Sequence, residues 1–533
     1  MARPAIVFIG FMGAGKSTAL AAARRAGLGT TEIDDLMERE LGMPIAAAFE
    51  RIGEAGFRER ESEVVGSLLE EADGSAIALG GGSVLLERVR AALGRHIVVW
   101  LQVDPAEAWR RIARSDRPLA TSEEDVRRLL AERLPLYEEL ADAVVPMADR
   151  DVVERALPAV QALAELPAGT KLLWATSASG EYPVYVGRGL LGSLAGARGA
   201  EAAGGGPAPD EPAGPASLWP AVGRRFCISD AAVGPLYADR LSPLAARVEI
   251  PPGETAKTMA EAERVLRELA GAGMTREDHV IALGGGFVGD LAGLCAHLYQ
   301  RGVPVVQVPT TLVAQVDSAY GGKTGVDLPE GKNYAGAYPL PVAVIVDTET
   351  LATLPPAELA AGFAEALKTG LLAGGTLWER VRSLESLDPA ALDDVVFACA
   401  RYKCEVVAAD ERDAGLRHVL NLGHTVGHAI EAASAYERYR HGEAVGLGLL
   451  AALRLSDAPE LRDEVATALA RHGLPTELDP AISVDLVLDA LRRDKKRTAA
   501  GVGFVLLAEP GAPRPKQLVD PARVRASVEE LLP

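Results

Sequence analysis

Short apolar runs alternate with longer charged stretches along the first third of the chain. AIVFIG, SAIALGGG and HIVVWLQV are each followed by a segment whose apolar residues have helical spacing. Apolar runs of about four to eight residues, joined by amphipathic stretches, are typical of parallel strands with crossover helices. The pattern predicts an α/β domain with a parallel sheet over residues 1–168, and LPAGT at 166–170 is typical of a linker.

A second series of apolar runs begins near residue 172 and gives way to helical patterning after about 355. It comprises YPVYVG, RRFCISD, ARVEIP, HVIALGGG, VPVVQVPTT and VAVIVDT, and the later stretches are amphipathic and rich in Ala and Leu. We expect a nucleotide-binding α/β domain over 172–355 and an all-helical domain over 356–533. The Gly-, Pro- and Ala-rich segment 196–217 predicts a flexible surface insertion.

Composition narrows the class of protein. The formal net charge of −19 disfavours nucleic acid as a partner, because a polyanion would be repelled. No apolar run reaches the roughly 18 to 20 residues of a membrane span. The four cysteines show no CxxC spacing, which predicts small buried residues in a cytoplasmic protein. Only 10 of the 55 Lys and Arg residues are lysines. Because an ammonium group differs physically from a guanidinium, each lysine is a stronger candidate for a specific role than in an average chain.

The segment GFMGAGKST, residues 10–18, predicts a phosphate-binding loop. It fits G-x-x-x-x-G-K-[ST] and lies between an apolar strand and an Ala-rich helix. Loop and helix N–H groups would cradle nucleotide phosphates, while Ser17 would hold Mg²⁺. The predicted nucleotide-binding residues are Gly13, Ala14, Gly15, Lys16, Ser17 and Thr18. No Asn-Lys dipeptide is present, which disfavours a GTPase switch and leaves an ATP-dependent small-molecule kinase.

Further motifs in the same domain concern the acceptor of the phosphoryl group. TTEIDDLMERELG, GFRERE, LGGGS, SDRPLA and ERLPLYEEL together resemble the shikimate kinase family across nearly all of residues 1–165. The resemblance implies that Asp34 orients the acceptor hydroxyl, with Asp35 as a competing choice, and that Glu32 helps to order Mg²⁺ through water. It further implies shikimate contacts by Arg58, Gly80, Gly81, Gly82 and Arg133, with Lys16 catalytic and Arg117 acting from a lid.

A triple glycine in DHVIALGGGFVGDLAGLCA, residues 278–296, follows an apolar strand and precedes a helix. Small residues there let a dinucleotide pyrophosphate approach the backbone. The sequence lacks the GxGxxG fingerprint, so a standard Rossmann domain is not predicted. Supporting motifs are PPGETAK at 251–257 and QVPTTLVAQVDSAYGGKTGVDLPEGKN.

Histidines and one carboxylate suggest a metal site. Glu365 and Lys368 share a helical face in GFAEALKTG, and histidines cluster at 418, 424, 428 and 441. One carboxylate and two imidazoles with an open position form a common catalytic zinc set. The spacing alone allows both His424 and His428 to bind one metal ion.

The motifs from YPVYVGRGLL to RRDKK resemble the 3-dehydroquinate synthase family over essentially all of residues 172–533. The resemblance implies that Glu365, His424 and His441 hold Zn²⁺ or another divalent metal, whereas His428 faces the substrate. It implies NAD contacts by Asp230, Glu254, Lys257, Gly286, Val288, Gly289, Asp290, Thr310, Thr311, Asp317, Lys323 and Lys332.

The same resemblance implies a substrate, 3-deoxy-arabino-heptulosonate 7-phosphate, and the products 3-dehydroquinate and phosphate. The catalytic residues of this reaction would be Lys323, Lys368, Lys403, Arg417, Asn421 and His428. The lysines and Arg417 would bind the carboxylate and hydroxyl groups of the substrate. Its phosphate would be surrounded by Arg301, Asn333, His428 and one of Lys495 or Lys496. A homodimer is also implied, with Arg301 reaching towards the partner's site.

The leading hypothesis is a bifunctional enzyme of the shikimate pathway, in which an ATP-dependent kinase precedes an NAD- and zinc-dependent cyclase. Its partners are small-molecule substrates. Three alternatives stay open from the residues. The first domain could phosphorylate another small acid such as gluconate, or act as a regulatory nucleotide sensor. The second could be a polyol dehydrogenase.

Overall fold

The computed structural model describes residues 3–113, 122–196, 218–219, 223–493 and 502–533. The predicted site residues Arg117, Lys495 and Lys496, and the predicted insertion apart from Gly196, lie outside these ranges. The chain divides into two compact units. The first contains Met1–Thr176 and the second contains most of the remainder, including Trp219–Pro533.

Six parallel strands form the sheet of the first unit, in the order β2-β3-β1-β4-β5-β6. Their bounds are β1 Ile6–Ile9, β2 Thr30–Glu32, β3 Ala76–Ala78, β4 Ile97–Gln102, β5 Ala143–Pro146 and β6 Lys171–Ser177. The helices are α1 Lys16–Arg25, α2 Ile33–Leu41, α3 Ile45–Glu71, α4 Glu87–Leu93, α5 Pro105–Ile112, α6 Glu123–Leu140 and α7 Val152–Ala162. Every residue of β1 and β3 is buried, as expected for strands covered on both faces.

Strand β6 follows the predicted linker and pairs with β5 through Ala143 and Leu172. The first sheet therefore extends past the boundary expected at residues 168–172. Where the chain divides into independently folding domains stays a prediction.

The second unit contains a five-stranded parallel sheet in the order β14-β11-β10-β8-β9. Its strands are β8 Arg225–Asp230, β9 Ala246–Ile250, β10 His279–Gly284, β11 Val305–Pro309 and β14 Ala343–Asp347, and β7 spans Gly180–Gly187. Its helices are α8 Leu190–Gly196, α9 Gly234–Tyr237, α10 Met259–Gly271 and α11 Gly286–Leu298. Val280, Val288 and Val326 belong to one buried apolar cluster, which packs α11 against the sheet.

An antiparallel hairpin also belongs to this unit. Its strands are β12, Thr324–Leu328, and β13, Gly331–Ala337. Strand β13 contains Lys332 and Asn333, two of the predicted site residues. Successive side chains of a strand point to opposite faces, so neighbouring residues can contact different surroundings.

The region after residue 355 is helical, as predicted. Its helices are α12 Pro356–Ala373, α13 Gly375–Arg382, α14 Pro389–Ala409, α15 His424–Ala433, α16 His441–Leu455, α17 Pro459–Arg471, α18 Val484–Arg493 and α19 Pro521–Glu529. The expectation of an all-helical region missed one antiparallel hairpin, β15 Gly503–Leu507 with β16 Pro513–Leu518. Prolines at 513 and 515 hide the strand signal, because proline is tolerated only on an edge strand such as β16.

Two further predictions concern the cysteines and membrane-spanning helices. All four cysteines are buried and none forms a disulfide, as expected. Within the part of the chain that the structure describes, no helix is both long enough and apolar enough to cross a membrane.

Candidate active sites

The phosphate-binding loop joins β1 to α1 through backbone that only glycine adopts easily. Gly13 and Gly15 have φ angles of 76° and 86°. A Cβ atom added at Gly15 would lie 2.9 Å from Met147 Cε. Lys16 Nζ donates hydrogen bonds to the carbonyls of Gly10 and Phe11 at 3.0 and 3.1 Å. The lysine thus folds back over the loop, in position to reach a bound phosphate.

Ser17 and Glu32 lie together beside this loop. Ser17 Oγ donates to Glu32 Oε1 at 2.5 Å. Both residues were expected near Mg²⁺, one directly and one through water. A hydroxyl and a carboxylate are oxygen donors, which fits the preference of Mg²⁺.

The predicted shikimate contacts converge on the Gly80–Gly82 turn after β3. A Cβ atom added at Gly80 would lie 3.4 Å from Asp34 Oδ1, and one at Gly82 would lie 2.5 Å from Arg58 Nη1. Arg133 is buried and donates from Nη1 to the Gly81 carbonyl at 2.9 Å. A carboxylate and two guanidinium groups therefore surround a turn with no side chains, which suits a small hydroxylated acid. Asp35, the competing choice, is exposed.

Glu61 is a residue of this site that the sequence reasoning missed. Its side chain is 2% exposed and accepts from Arg58 Nη1 at 2.6 Å and from Ser83 Oγ at 2.6 Å. Glu61 therefore holds the Arg58 guanidinium in place next to the Gly80–Gly82 turn. The available signal was its position three residues after Arg58, which places both on one helical face.

The second glycine turn runs from β10 into α11, and its glycines are required by close contacts. A Cβ atom at Gly285 would lie 3.0 Å from Thr311 Cγ2, and one at Gly286 would lie 2.8 Å from Ser318 Oγ. Thr310 Oγ1 is buried and has no hydrogen-bond partner in the described part of the chain. A side-chain-free turn next to an unsatisfied hydroxyl fits a dinucleotide, which offers hydrogen-bonding groups close to the backbone.

Lys257 is the centre of a charged group near this turn. Lys257 is buried, and its Nζ lies 2.5 Å from Asp290 Oδ2, 2.6 Å from Asn333 Oδ1 and 3.5 Å from Glu254. Burial raises the pKa of Asp290 to about 6, although the charge of Lys257 opposes this. Burial lowers the pKa of Lys257, but Asp290 and Glu254 outweigh it and raise the value. Asn333 thus contacts Lys257, a predicted cofactor residue, and its contact with the substrate phosphate stays a prediction.

Two other predicted cofactor residues have clear local surroundings. Asp230 is buried at the end of β8, and its Oδ1 accepts from the backbone N–H groups of Ala232 and Val233. Lys332 Nζ lies 3.6 Å from Glu431 Oε1 and 4.4 Å from the centre of the Tyr436 ring.

The predicted metal ligands come from three helices, and their side chains lie close together. Glu365 on α12 is completely buried, and its Oε1 lies 3.4 Å from His424 Nε2 and 3.2 Å from His441 Nε2. His424 begins α15 and His441 begins α16. One carboxylate oxygen that faces two imidazole nitrogens fits a zinc-type donor set.

His428 joins the same cluster. Ligand atoms of His424, His428 and His441 all lie within 4.8 Å of one another. The ring centres of His424 and His428 are 5.2 Å apart. All three histidines therefore lie close enough to face one metal ion, and the division of His424 and His428 into ligand and substrate contact stays a prediction.

Predicted substrate-binding lysines lie beside these residues. Lys368 Nζ is 2.6 Å from Glu365 Oε2 and 3.8 Å from Asp317 Oδ2, and Lys403 Nζ is 2.6 Å from Asp317 Oδ1. Burial raises the pKa of Glu365, but Lys368 and the histidines outweigh it and hold the pKa well below its usual range. Burial lowers the pKa of Lys403, helped by the positive charges of Lys368 and Arg417 and opposed by Asp317.

The remaining predicted residues are held in different ways. Arg417 is 2% exposed and donates from Nη1 to the Glu411 carbonyl at 2.7 Å, so much of its guanidinium has backbone partners. Asn421 Nδ2 donates to the His418 carbonyl at 3.2 Å. Arg301 is exposed, with a φ of 72°.

Two carboxylates of this site were not predicted from the sequence. Asp413 Oδ2 lies 2.5 Å from Lys323 Nζ, and Glu431 Oε1 lies 3.4 Å from His441 Nδ1. Glu431 follows His428 by three residues, one helical turn, which was the available signal. Asp413 lies in a loop before Arg417 and had no comparable signal.

Comparison with known proteins matches both units to families. The shikimate kinase model matches residues 12–164. The 3-dehydroquinate synthase N-terminal and C-terminal models match residues 247–361 and 362–497. The three matches follow one another along the chain. They cover in turn the phosphate-binding loop, the second glycine turn and the metal-type cluster of Glu365, His424 and His441.

Individual relatives agree with these matches. The chain is 40% identical over 367 residues to 3-dehydroquinate synthase of Symbiobacterium thermophilum, covering 66% of this chain and 98% of the relative. Among solved structures, 2-epi-5-epi-valiolone synthase from Streptomyces hygroscopicus subsp. jinggangensis 5008 is 28% identical, with a TM-score of 0.53 over 58% of this chain and 91% of that one. A 2-deoxy-scyllo-inosose synthase, 24% identical, shares the fold with a TM-score of 0.57 over 68% of this chain and 99% of that one.

Sequence motifs, site geometry and relatives lead to one assignment. The fold class is α/β, with a kinase-type first unit, and with a parallel sheet and helical region in the second unit. The chain belongs to the 3-dehydroquinate synthase family, carries a shikimate kinase domain before it, and is a bifunctional enzyme of the shikimate pathway.

Proposed function

We propose that the first unit transfers a phosphoryl group from ATP to the 3-hydroxyl of shikimate, with Mg²⁺. We further propose that the second converts 3-deoxy-arabino-heptulosonate 7-phosphate to 3-dehydroquinate and phosphate, with NAD and Zn²⁺ or another divalent metal. The observation that carries the second proposal is the buried Glu365 carboxylate, which faces His424 and His441 at 3.2–3.4 Å. The valiolone synthase structure was solved with NAD⁺ and Zn²⁺ bound, which supports the same cofactors here.

In the kinase unit, each residue has a role that follows from its position. Asp34 accepts a hydrogen bond from the acceptor hydroxyl beside Gly80, while Arg58 and Arg133 pair with the carboxylate of the acid. Lys16 would turn from the loop carbonyls to the transferring phosphate. Arg117 lies outside the described residues, and its proposed lid role comes from the family resemblance alone. Ser17 and Glu32 would hold Mg²⁺, which would supply charge neutralisation. Catalysis is then mainly a matter of positioning.

In the synthase unit, Glu365, His424 and His441 would hold the metal, which would supply Lewis acidity for a substrate alcohol. The glycine turn would hold NAD, which would supply reversible hydride transfer with no net redox change. The chain's own residues bind and orient the substrate. Lys368 and Lys403 supply positive charge next to Asp317, within reach of the metal-type cluster. Lys323, Arg417 and Asn421 complete the carboxylate and hydroxyl contacts, and His428 faces the substrate phosphate.

The NAD contacts follow the glycine turn. The backbone of the turn would receive the pyrophosphate, Thr310 and Thr311 would offer hydroxyls, and the pair Asp290 and Lys257 would lie beside it. The residues proposed to bind the substrate phosphate are Arg301, Asn333, His428 and one of Lys495 or Lys496, and both lysines lie outside the described residues. The exposed position of Arg301 suits a contact across a homodimer, which we propose for the synthase region. We also retain the domain assignment 1–168, 172–355 and 356–533.

An assay of ADP formation by the full chain tests the kinase half of the proposal. Shikimate should drive ADP formation, and gluconate should not. If gluconate alone did so, the acceptor assignment would be wrong. If the purified protein bound ATP but transferred phosphate to neither acid, a regulatory nucleotide sensor would replace the kinase.

A further inference from the structure

Glu431 is a buried carboxylate between two residues of the proposed synthase site. Its side chain is 4% exposed, and its Oε1 lies 3.4 Å from His441 Nδ1 and 3.6 Å from Lys332 Nζ. A buried carboxylate is costly unless it is paired. These two contacts account for its position.

The contact with His441 determines how that imidazole can act. His441 Nε2 faces Glu365 Oε1 at 3.2 Å, on the side of the proposed metal ligands, while Nδ1 faces Glu431. A carboxylate that accepts a hydrogen from Nδ1 leaves the lone pair on Nε2, which is the atom that would bind a metal. It also restricts rotation of the ring.

The contact with Lys332 extends this arrangement to the cofactor residues. Lys332 and Asn333 are consecutive residues of strand β13, and their side chains contact different groups. Lys332 reaches Glu431, and Asn333 Oδ1 lies 2.6 Å from Lys257 Nζ. One short strand therefore connects the Glu431–His441 pair with the Lys257–Asp290 pair.

A further observation concerns the second oxygen of Glu431. Glu431 Oε2 is buried and has no hydrogen-bond partner in the described part of the chain. A residue kept only for packing would avoid this unsatisfied atom, because an apolar side chain of similar size could fill the space. The carboxylate is thus better explained by its charge and by its contact with His441.

We infer that Glu431 is a positioning residue, which orients His441 for metal binding and fixes strand β13 through Lys332. The inference rests on the proposed synthase function. Outer carboxylates that bind the second nitrogen of a metal-binding histidine typically change metal affinity by about 10- to 100-fold when they are removed. We expect an effect of that size.

Zinc affinity of the full-length protein tests the inference directly. Competition with a chromophoric chelator should show about 10- to 100-fold weaker binding for Glu431→Leu, which is close in size but has no acceptor. Glu431→Gln keeps an amide oxygen and should lose less. The matched control Glu437→Gln, on an exposed residue of the same segment, should bind zinc like the wild type. Lys332→Met should not weaken zinc binding, because it leaves the Glu431–His441 contact in place.

Thermal unfolding of the metal-free variants separates positioning from folding. A variant that unfolds near the wild-type temperature but binds zinc weakly supports the inference, as does an altered visible spectrum of the Co²⁺-substituted protein. If Glu431→Leu does not fold, Glu431→Gln decides. Wild-type zinc affinity in the folded Glu431 variants would overturn the inference alone, whereas a wild-type protein without zinc affinity would overturn the proposed metal site itself.

Discussion

The carboxylate of Asp290 lies 2.5 Å from the ammonium group of Lys257, immediately beyond the glycine turn proposed for NAD. Burial raises the pKa of Asp290 to about 6, against the opposing charge of Lys257. Since the ionised carboxylate is the form that accepts hydrogen bonds from ribose hydroxyls, NAD affinity should fall as the pH is lowered from 7 to 5.

Calorimetric titration of NAD at several pH values measures this dependence. Asp290→Asn should weaken NAD binding about tenfold at pH 7, the value of roughly 1.5 kcal/mol expected for a hydrogen bond to a charged group. The variant should also lose the pH dependence between 5 and 7. An unchanged pH profile in Asp290→Asn would assign the dependence to another group.

Asp34 rather than Asp35 should be required for shikimate phosphorylation. Only Asp34 has its carboxylate beside Gly80, and Asp35 is exposed. Asp34→Asn should lower kcat about 10²- to 10⁴-fold, because a positioned base contributes that much. Asp35→Asn should remain within a few-fold of the wild type in a coupled ADP assay. The reverse ranking would move the role to Asp35.

Loss of the Glu61 carboxylate should weaken shikimate binding without removing ATP binding. Glu61 holds Arg58 at 2.6 Å, and a lost bond to a charged group costs about 1.5–3 kcal/mol. Glu61→Gln should therefore raise the KM for shikimate about tenfold or more. Glu63→Gln, which removes the charge of an exposed partner of Arg60, is the control and should not change it. Equal KM values for both variants would leave Glu61 with a packing role only.

The paired histidines can be separated by metal content. His424→Ala should empty the metal site, since His424 Nε2 lies 3.4 Å from Glu365 Oε1. His428→Ala should keep about one zinc ion per chain and lose turnover. Elemental analysis of both purified proteins decides the matter, and zinc lost from both would make His428 a ligand as well.

Much of the architecture could be predicted because it depends on local sequence. Each glycine turn follows an apolar strand and contains glycines that leave no room for a side chain. The contacts that a Cβ atom would make at Gly15 and Gly286 demonstrate this. By contrast, the prediction that Glu365, His424 and His441 form one site came from family resemblance. Residues so far apart in sequence give no local sign of contact.

What could not be predicted depends on burial. Glu61 and Glu431 lie three residues from functional side chains, where an acid is usually part of a surface ion pair. Only the structure reveals that their side chains are 2% and 4% exposed. Likewise, only the structure reveals that the guanidinium of Arg417, a predicted substrate contact, is buried and donates to a backbone carbonyl.

Phosphate release from 3-deoxy-arabino-heptulosonate 7-phosphate tests the synthase half of the assignment most directly. The full chain, supplied with zinc and a catalytic amount of NAD, should release phosphate and form 3-dehydroquinate in equal amounts, without accumulating NADH. A polyol dehydrogenase would instead accumulate NADH with glycerol and release no phosphate from the heptulosonate, and that result would contradict the account.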